Sequence, residues 1–326
     1  MPAAVRTVAT TLWTPTTSGT TTCGASATWS RHRCLAKSSA GLTGATGLPS
    51  AEGADAVNGT ISVSALEFDV LWEHLRLPSM PVVIKVGSPG GTFTERRRLV
   101  AEAWAGLERR GFGRPVGVHP LLEHLLRLLA QPDREVDGRF WGAGAVAGET
   151  RVLAAARGGD GALAVLRAGT LTVRQTSPAG LPSAALGVLN AIGPAGAGPG
   201  HSVTMPTHDF ESAAATAGAD RSRFREALDR RGVRADDIDA LLEMIGDVSG
   251  YGKFGAAARD KLGRRHRAPR VISFFDTTAG RYLQVRRTSI DGRPWTTLSP
   301  ADHRRIGQHV DELYRETVER AGAGVD

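Results

Sequence analysis

The stretch that decides the fold is VISFFDTTAGRYLQVRRTSIDGRPWTTLSP, at positions 271–300. Two runs rich in β-branched and aromatic residues, 271–276 and 281–288, flank the polar turn TTAG, and such runs are typical of paired strands. Asp291 and Gly292 form the dipeptide preferred in two-residue hairpin turns. A last run at 295–298 ends the pattern. The stretch therefore predicts an antiparallel meander, which a shorter run at 253–259 precedes.

A helix is expected to close this meander. Ser299 offers a capping hydroxyl, Pro300 suits the first helical position, and Asp302 places an acid in the first turn. Beyond them, four side chains recur at helical spacing and form one stripe: Ile306, Val310, Leu313 and Thr317.

A similar block occurs earlier in the chain. Period-two patterns predict strands at 136–141, 150–156, 162–168 and 170–175, followed by Ser177 and Pro178 and a helix at 181–192. The common order indicates an internal duplication, with half one at 60–192, a Gly/Pro-rich linker at 193–200 and half two at 201–321. We therefore predict an α+β fold whose central antiparallel sheet is built from two quasi-two-fold related halves and flanked by helices.

The remaining elements follow from shorter signals. Ser64 and Glu67 form a capping box that opens a helix after a strand at 60–63. Apolar residues predict a strand at 81–86, and the loop 87–91 lacks the Gly-Lys-Ser/Thr ending of a phosphate-binding loop. Further helices are expected at 94–110 and 120–130, and in half two at 209–216, 220–231 and 235–248, after a strand at 201–205. Asp220, and either Asp236 or Asp237, are the expected caps of the last two.

Residues 1–58 are rich in Thr, Ser, Gly and Ala and show no sustained period. Such composition buries too little apolar surface to offset the entropy of ordering, so we expect a disordered leader before a domain at 59–326. Either this leader is real, or an alternative start codon near Val57 or Val63 removes it. Cys23 and Cys34 are the only cysteines, and no apolar window has the length of a secretory or membrane segment, which favours the cytoplasm.

No pattern of catalytic or metal-binding residues stands out, so we expect no enzyme, no cofactor and no metal. Asp276 ends an apolar strand, and we favour a turn role for it, with Arg281 as a pairing partner across the turn. The net charge is +7, and the tightest basic cluster, 264–267, is interpreted as a solvated hairpin loop. A basic nucleic-acid-binding protein remains the alternative function.

The order of several short motifs resembles the EspG family, the cytosolic type VII secretion chaperones of actinobacteria. These motifs are FFDTTAGRYLQVRR at 274–287 with the DG turn and Trp295 after it, LEFDVLW at 66–72, and PDRE at 132–135. The resemblance implies a chaperone that binds PE/PPE-type heterodimers, covers the apolar tip of the PPE helical bundle and delivers the dimer for secretion. It implies no nucleic-acid or membrane partner, and we expect a monomer or weak dimer.

The resemblance also implies where the partner binds, since the central sheet and the helical bundle of half two contact the substrate tip in that family. We expect the contacts to come from the strand end near 141 and from helices whose apolar residues exceed one buried stripe. The expected partner-binding residues, taken as exposed in the free protein, are Phe140, Trp141, Phe224, Leu228, Leu241 and Met244.

Overall fold

The computed structural model describes residues 59–142, 148–190, 196–218 and 220–323. The α-helices in these residues are α1 (Ala65–His74), α2 (Phe93–Arg109), α3 (Pro120–Ala130), α4 (Leu181–Asn190), α5 (Thr207–Ala217), α6 (Arg221–Asp229), α7 (Ala235–Met244) and α8 (His303–Ala323), with a 3₁₀ helix at Val82–Ile84. The strands are β1 (Thr60–Ser64), β2 (Gly113–Arg114), β3 (Gly117–Val118), β4 (Arg134–Gly142), β5 (Gly148–Arg157), β6 (Asp160–Arg167), β7 (Thr170–Thr176), β8 (Val203–Pro206), β9 (Val248–Arg259), β10 (Arg265–Arg267), β11 (Ile272–Thr277), β12 (Gly280–Thr288) and β13 (Pro294–Pro300).

One large antiparallel sheet runs through the molecule in the order β1-β7-β6-β5-β4-β9-β11-β12-β13-β8, with β10 beside β9. In each half the first strand, β1 or β8, lies at the edge and pairs with the last, β7 or β13. The strands β4 and β9 join the halves at the centre. The predicted α+β fold of two quasi-two-fold related halves is confirmed.

The helices α4 and α8 close the two halves in equivalent places. Each begins at the third residue after the proline of a Ser-Pro pair, α4 after Pro178 and α8 after Pro300. The two helices pack together on one face of the sheet, over the core that contains Phe140, Phe254 and Phe274. The predicted stripe of α8 faces this core and is buried.

The expected start of α8 is wrong by three residues. Ser299 and Pro300 belong to β13, where they pair with Leu283 and Tyr282 of β12 and stay extended. The helix begins only at His303, after Asp302, whose carboxylate accepts a hydrogen bond from the backbone N–H of Arg305 at 2.8 Å. Strand pairing therefore outweighs the local helix-start signal.

Two separate helical layers cover the opposite face of the sheet. The helices α1, α2 and α3 pack on half one around a core that includes Phe68 and Leu125. The helices α5, α6 and α7 pack on half two around a core that includes Phe210 and Phe275. In the described part of the chain, neither core contains a side chain of β4. The centre of this face therefore lies between the two layers.

Local signals explain the starts of some helices and not of others. The capping box of α1 is present, because Ser64 Oγ accepts from the Glu67 N–H at 3.2 Å and the Glu67 carboxylate accepts from the Ser64 N–H at 2.7 Å. Asp220 caps α6 by accepting from two backbone N–H groups. The expected cap of α7 is wrong: Asp236 and Asp237 lie within its first turn, and the residue before the helix makes no side-chain cap bond. In this first turn their negative charges interact favourably with the positive end of the helix dipole.

The predicted strand at 81–86 is wrong, because this segment contains the 3₁₀ helix Val82–Ile84. Val83 and Ile84 are buried in the core under α1 to α3, which accounts for the apolar run. The backbone carbonyls of Val82 and Lys85 accept hydrogen bonds from Arg139 and Arg151 instead of from a neighbouring strand.

The basic cluster at 264–267 is largely exposed, as expected, but most of it is a strand and not a loop. Arg265–Arg267 forms β10, which pairs with β9. Arg265 binds Glu135, and Arg267 makes two hydrogen bonds, at 2.6 and 3.0 Å, to Asp137. Carboxylates 130 residues earlier in the chain therefore compensate the charge that suggested a polyanion partner.

The pairing expected between Asp276 and Arg281 is confirmed, with distances of 2.6 and 2.8 Å between the carboxylate and the guanidinium. The side-chain turn bond comes instead from Thr277, whose Oγ1 accepts from the Ala279 N–H at 3.2 Å. Arg281 is buried, so the carboxylate serves as its counter-ion.

The expected leader, 1–58, lies outside the described residues, as does part of the expected linker. The described part of that linker, 196–200, is bonded to β12: the Arg281 N–H donates to the Gly196 carbonyl at 2.8 Å, and the Gly198 N–H donates to the Arg281 carbonyl at 3.1 Å. The domain boundaries themselves stay a prediction. No helix in the described ranges combines the length and the apolar character needed to cross a membrane.

Candidate functional site

The gap between the two helical layers is the candidate site, and we call its floor the central strip. The strip is the face of β4, β9 and their neighbours that α4 and α8 do not cover. Its side chains come from four strands and are Glu135, Asp137, Arg139, Trp141, Glu149, Arg151, Tyr251, Lys253, Arg265 and Arg267.

The alternation of side chains along β4 produces the strip. Val136 and Phe140 face the core under α4 and α8, so the odd-numbered residues between and beside them face the opposite side. These odd-numbered residues are polar or aromatic: Glu135, Asp137, Arg139 and Trp141. The strand thus has one apolar face in a core and one face suited to solvent or a partner.

An aromatic pair forms one end of the strip. Trp141 of β4 lies opposite Tyr251 of β9, and their rings stack with centroids 4.8 Å apart and planes 20° from parallel. Both residues are partly buried. A partly buried pair of large rings offers the kind of apolar contact that dominates protein interfaces.

Three cations cross the middle of the strip in one row. Arg139 lies directly opposite Arg151 of β5 on one side and Lys253 of β9 on the other. Glu149 binds Arg151 at 2.9 Å and lies 3.7 Å from Arg139. Burial lowers the pKa of Lys253, and the neighbouring positive charge of Arg139 lowers it further. Like charges directly opposite each other are destabilising, so this row costs folding free energy.

Matched ion pairs occupy the other end of the strip. Arg265 and Arg267 of β10 reach over β9 to Glu135 and Asp137 of β4. A Cβ at Gly255 would contact both Arg267 and Asp137, so the glycine gives this pair its path across the strand. Burial raises the pKa of Glu135, and the guanidinium of Arg265 opposes that rise.

The 3₁₀ helix forms a rim beside the strip. Its Val82 carbonyl accepts from Arg139 at 3.2 Å, while the Val82 side chain is 76% exposed. The Lys85 carbonyl accepts from Arg151 at 2.8 Å. These bonds fix two of the strip's guanidinium groups against the rim and leave an apolar side chain next to them.

The structure separates the six expected partner-binding residues. Only Trp141 lies on the strip. Phe140 points to the opposite face, where its ring lies 5.0 Å from that of Phe254. The other four are fully buried in the core of half two: Phe224, Leu228, Leu241 and Met244.

The expectation that all six are exposed in the free protein is therefore wrong for five. The apolar surplus of α6 and α7 is buried because these helices pack on each other and on α5 as well as toward the sheet. A role of these five side chains in binding stays a prediction, and it requires the helices to move apart.

Sequence reasoning missed Arg139, Tyr251 and Lys253 as site residues. The alternation of β4 was a usable signal, because a strand with Glu, Asp, Arg and Trp on one face must turn that face away from a core. The pairing of β4 with β9 adds Tyr251 and Lys253 to the strip, and local sequence holds no signal for this pairing. Within the described residues no group of three or more His, Cys, Asp or Glu side chains could hold a metal ion.

Comparison with known proteins identifies the family. The model of the EspG family matches residues 64–312, about three quarters of the chain. This chain belongs to the EspG family. The resemblance expected from the short motifs is thereby confirmed. No curated protein matches the chain in sequence.

A solved structure supports the fold of this EspG-family chain. It is that of the Mycobacterium tuberculosis type VII secretion system chaperone EspG5 in complex with a PE25-PPE41 dimer. The similarity has a TM-score of 0.62 at 18% sequence identity, and it covers 79% of this chain and 96% of the matched chain. At this identity the match establishes a common fold.

Proposed function

We propose that this chain is a cytoplasmic chaperone of a type VII secretion system that binds PE/PPE-type heterodimers. Membership of the EspG family over residues 64–312 carries the proposal, and the shared fold with EspG5, solved with a PE25-PPE41 dimer, supports it. The chaperone shields the apolar tip of the dimer and delivers it to the secretion machinery. An exposed apolar tip self-associates, and a protein that buries it competes with aggregation by mass action.

The central strip is the proposed docking surface. Its partly buried Trp141 and Tyr251 would serve as anchors, and the exposed Val82 would add apolar surface at the rim. A stable interface buries about 1,600 Å² in total, so the tip also covers parts of the two flanking helical layers. Because burial of a surface needs no catalysis, we propose that the chain acts without enzymatic turnover or cofactor. We also propose that it acts as a monomer or weak dimer.

Co-expression with a PE/PPE-type dimer tests the proposal. We expect a stoichiometric complex in gel filtration, and Trp141→Ala lowers the affinity at least about thirtyfold, as expected for a hot-spot aromatic residue. Trp295→Ala is the matched control. Trp295 lies opposite Arg287, which binds Glu312 of α8, and so belongs to the other face of the sheet.

The control variant should bind as tightly as the wild type. If the wild-type chain captures no PE/PPE dimer, the proposed function is wrong. If Trp141→Ala and Trp295→Ala bind equally, the function stands and the docking surface lies elsewhere.

A further inference from the structure

The central strip consists of rows that run across the strands, and these rows differ in their balance of charge. The rows of Glu135 and Asp137 each contain one carboxylate and receive one guanidinium from β10. The row of Arg151, Arg139 and Lys253 contains three cations, and among the described residues Glu149 is the one carboxylate within ion-pair distance of them. This row therefore carries an excess of positive charge.

Lys253 is the cation that lacks compensation. In the described ranges no carboxylate lies within ion-pair distance of its ammonium group and no hydrogen bond to that group forms, whereas Arg139 and Arg151 each bind a carbonyl of the rim. Burial lowers the pKa of Lys253, and the charges of Arg139 and Arg267 add to that effect, while Asp137, which is already paired with Arg267, opposes it without forming an ion pair with the lysine. The segment 143–147, which follows β4, contains only Ala, Gly and Val. It supplies no carboxylate side chain.

The position of this row relative to the aromatic pair is fixed by the strands. Arg139 and Lys253 are two residues from Trp141 and Tyr251 on the same strands, which places the rows about 7 Å apart. That separation is close to one turn of an α-helix, about 5.4 Å along the axis. A helix tip can thus set an apolar side chain on the rings and a second side chain on the cations.

We infer that the docked helical tip carries a carboxylate, about one helical turn from its apolar contact, which binds between Lys253 and Arg139. This inference rests on the proposed function and names the chemistry of the partner that the strip selects. The excess positive charge of this row has a cost in the free protein, and the incoming carboxylate removes that cost. Charge complementarity of this kind contributes to the choice of partner and to the association rate.

A protein carboxylate suits the row better than a phosphate backbone does. The carboxylates of Glu135, Asp137 and Glu149 surround the excess cations on the same face. A single side chain can enter between them. A continuous chain of phosphates would meet these negative groups along the strip, so nucleic acid binding is the competing outcome in the experiment.

The experiment measures the affinity of the wild type and of Lys253→Met for the co-expressed PE/PPE dimer, at about 0.05 M and about 0.5 M salt. Methionine keeps the length of the side chain and removes its charge. We expect Lys253→Met to lose about tenfold in affinity at low salt and almost none at high salt. Its melting temperature should equal or exceed that of the wild type, because it removes a repulsion.

Lys261→Met is the matched control, since Lys261 is exposed in the turn between β9 and β10. It should bind as the wild type does at both salt concentrations. Lys253→Glu should abolish binding at low salt, and one Asp or Glu to Lys substitution in the partner's tip should restore it. Such a rescue identifies the partner carboxylate.

Two results would overturn the inference while leaving the proposed function intact. One is equal affinity of the wild type and Lys253→Met at low salt. The other is a duplex DNA that displaces the dimer from the wild type and binds Lys253→Met more weakly. A wild type that binds no dimer at all contradicts the proposed function itself, and the inference with it.

Discussion

Trp141 of β4 stacks on Tyr251 of β9 with ring centroids 4.8 Å apart, and this contact joins the two halves of the molecule on the open face of the sheet. Each ring belongs to a different half, so the stack adds to the β4–β9 hydrogen bonds that hold the halves together. The same rings are the proposed anchors for a partner. The pair therefore links the stability of the central seam, the junction of β4 with β9, to the use of this face of the sheet as a binding surface.

A double-mutant cycle measures that link. We expect Trp141→Ala and Tyr251→Ala to couple by about 0.5–1.5 kcal/mol in the free energy of unfolding, the range for stacked aromatic pairs. Urea unfolding of the four proteins gives the coupling. The cycle of Trp141 with Trp295, on the opposite face, is the control and should be additive to within about 0.5 kcal/mol. Additivity in both cycles would mean that the stack does not stabilise the seam.

Phe275 tests the core of half two. It is fully buried on β11, and its ring stacks on Tyr282 at 5.4 Å. Phe275→Ala should lower the free energy of unfolding by about 3–5 kcal/mol and reduce soluble yield. Phe93→Ala is the control because Phe93 is 92% exposed, and it should change stability by less than about 0.5 kcal/mol. A soluble Phe275→Ala with an unchanged melting temperature would place the core elsewhere.

The strands were predictable from runs rich in apolar, β-branched and aromatic residues between turn residues. In β7 the run alternates because only one face meets a core, whereas β5, β6, β11 and β12 carry apolar residues on both faces because a core covers each face. The Ser-Pro pairs before α4 and α8 then indicated the duplication, since each pair lies at or just after the end of the last strand of its half and precedes the closing helix. Local sequence and tertiary structure agree in these elements.

Local sequence could not predict the conformation and contacts of elements that pack or pair with distant residues. The arginines of β10 bind carboxylates 130 positions away, so a window around 264–267 shows only uncompensated charge. The apolar run at 81–86 is buried as a 3₁₀ helix, and a short apolar run does not distinguish this from a strand. Likewise, a helix that packs on three neighbours has the same composition as one with an exposed apolar face.

The candidate site was predictable only in part. Trp141 was found from the family resemblance, and the polar face of β4 was visible in the alternation. The residues that half two contributes to the strip come from β9 and β10, more than a hundred positions later, and the register of β9 opposite β4 follows from the assembled sheet. Residue pairs such as Arg139 and Lys253 therefore become visible only in the structure.

His309 of α8 is expected to make stability depend on pH. Burial lowers its pKa, the nearby charges of Arg287 and Arg305 lower it further, and Glu312 opposes them. The unfolded side chain titrates near about 6.5, so the contribution of His309 is full above that pH and is lost as the pH falls toward the folded pKa. His309→Gln should therefore lose less stability than the wild type between pH about 7.5 and about 5.

Urea unfolding at several pH values within this window measures the effect. His208→Gln is the control because the His208 side chain is exposed to water, and its stability should follow the wild type at each pH. If the free energy of unfolding falls equally with pH in His309→Gln and in the wild type, another group causes the loss of stability in acid. Below pH about 5, carboxylates also titrate, so the comparison is confined to the window above.

Leu241→Asp and Met244→Asp should destroy the fold. Both side chains are fully buried in α7, and an unpaired carboxylate in an apolar core costs several kcal/mol, a large part of a typical total stability of about 5–15 kcal/mol. We expect insoluble protein or a large fall in melting temperature, in place of the selective loss of binding that exposed side chains would give. Met244→Leu, which keeps apolar volume, should cost less than about 1.5 kcal/mol. If Leu241→Asp instead stays soluble with an unchanged melting temperature, then α6 and α7 open in solution, and the buried residues return as partner contacts.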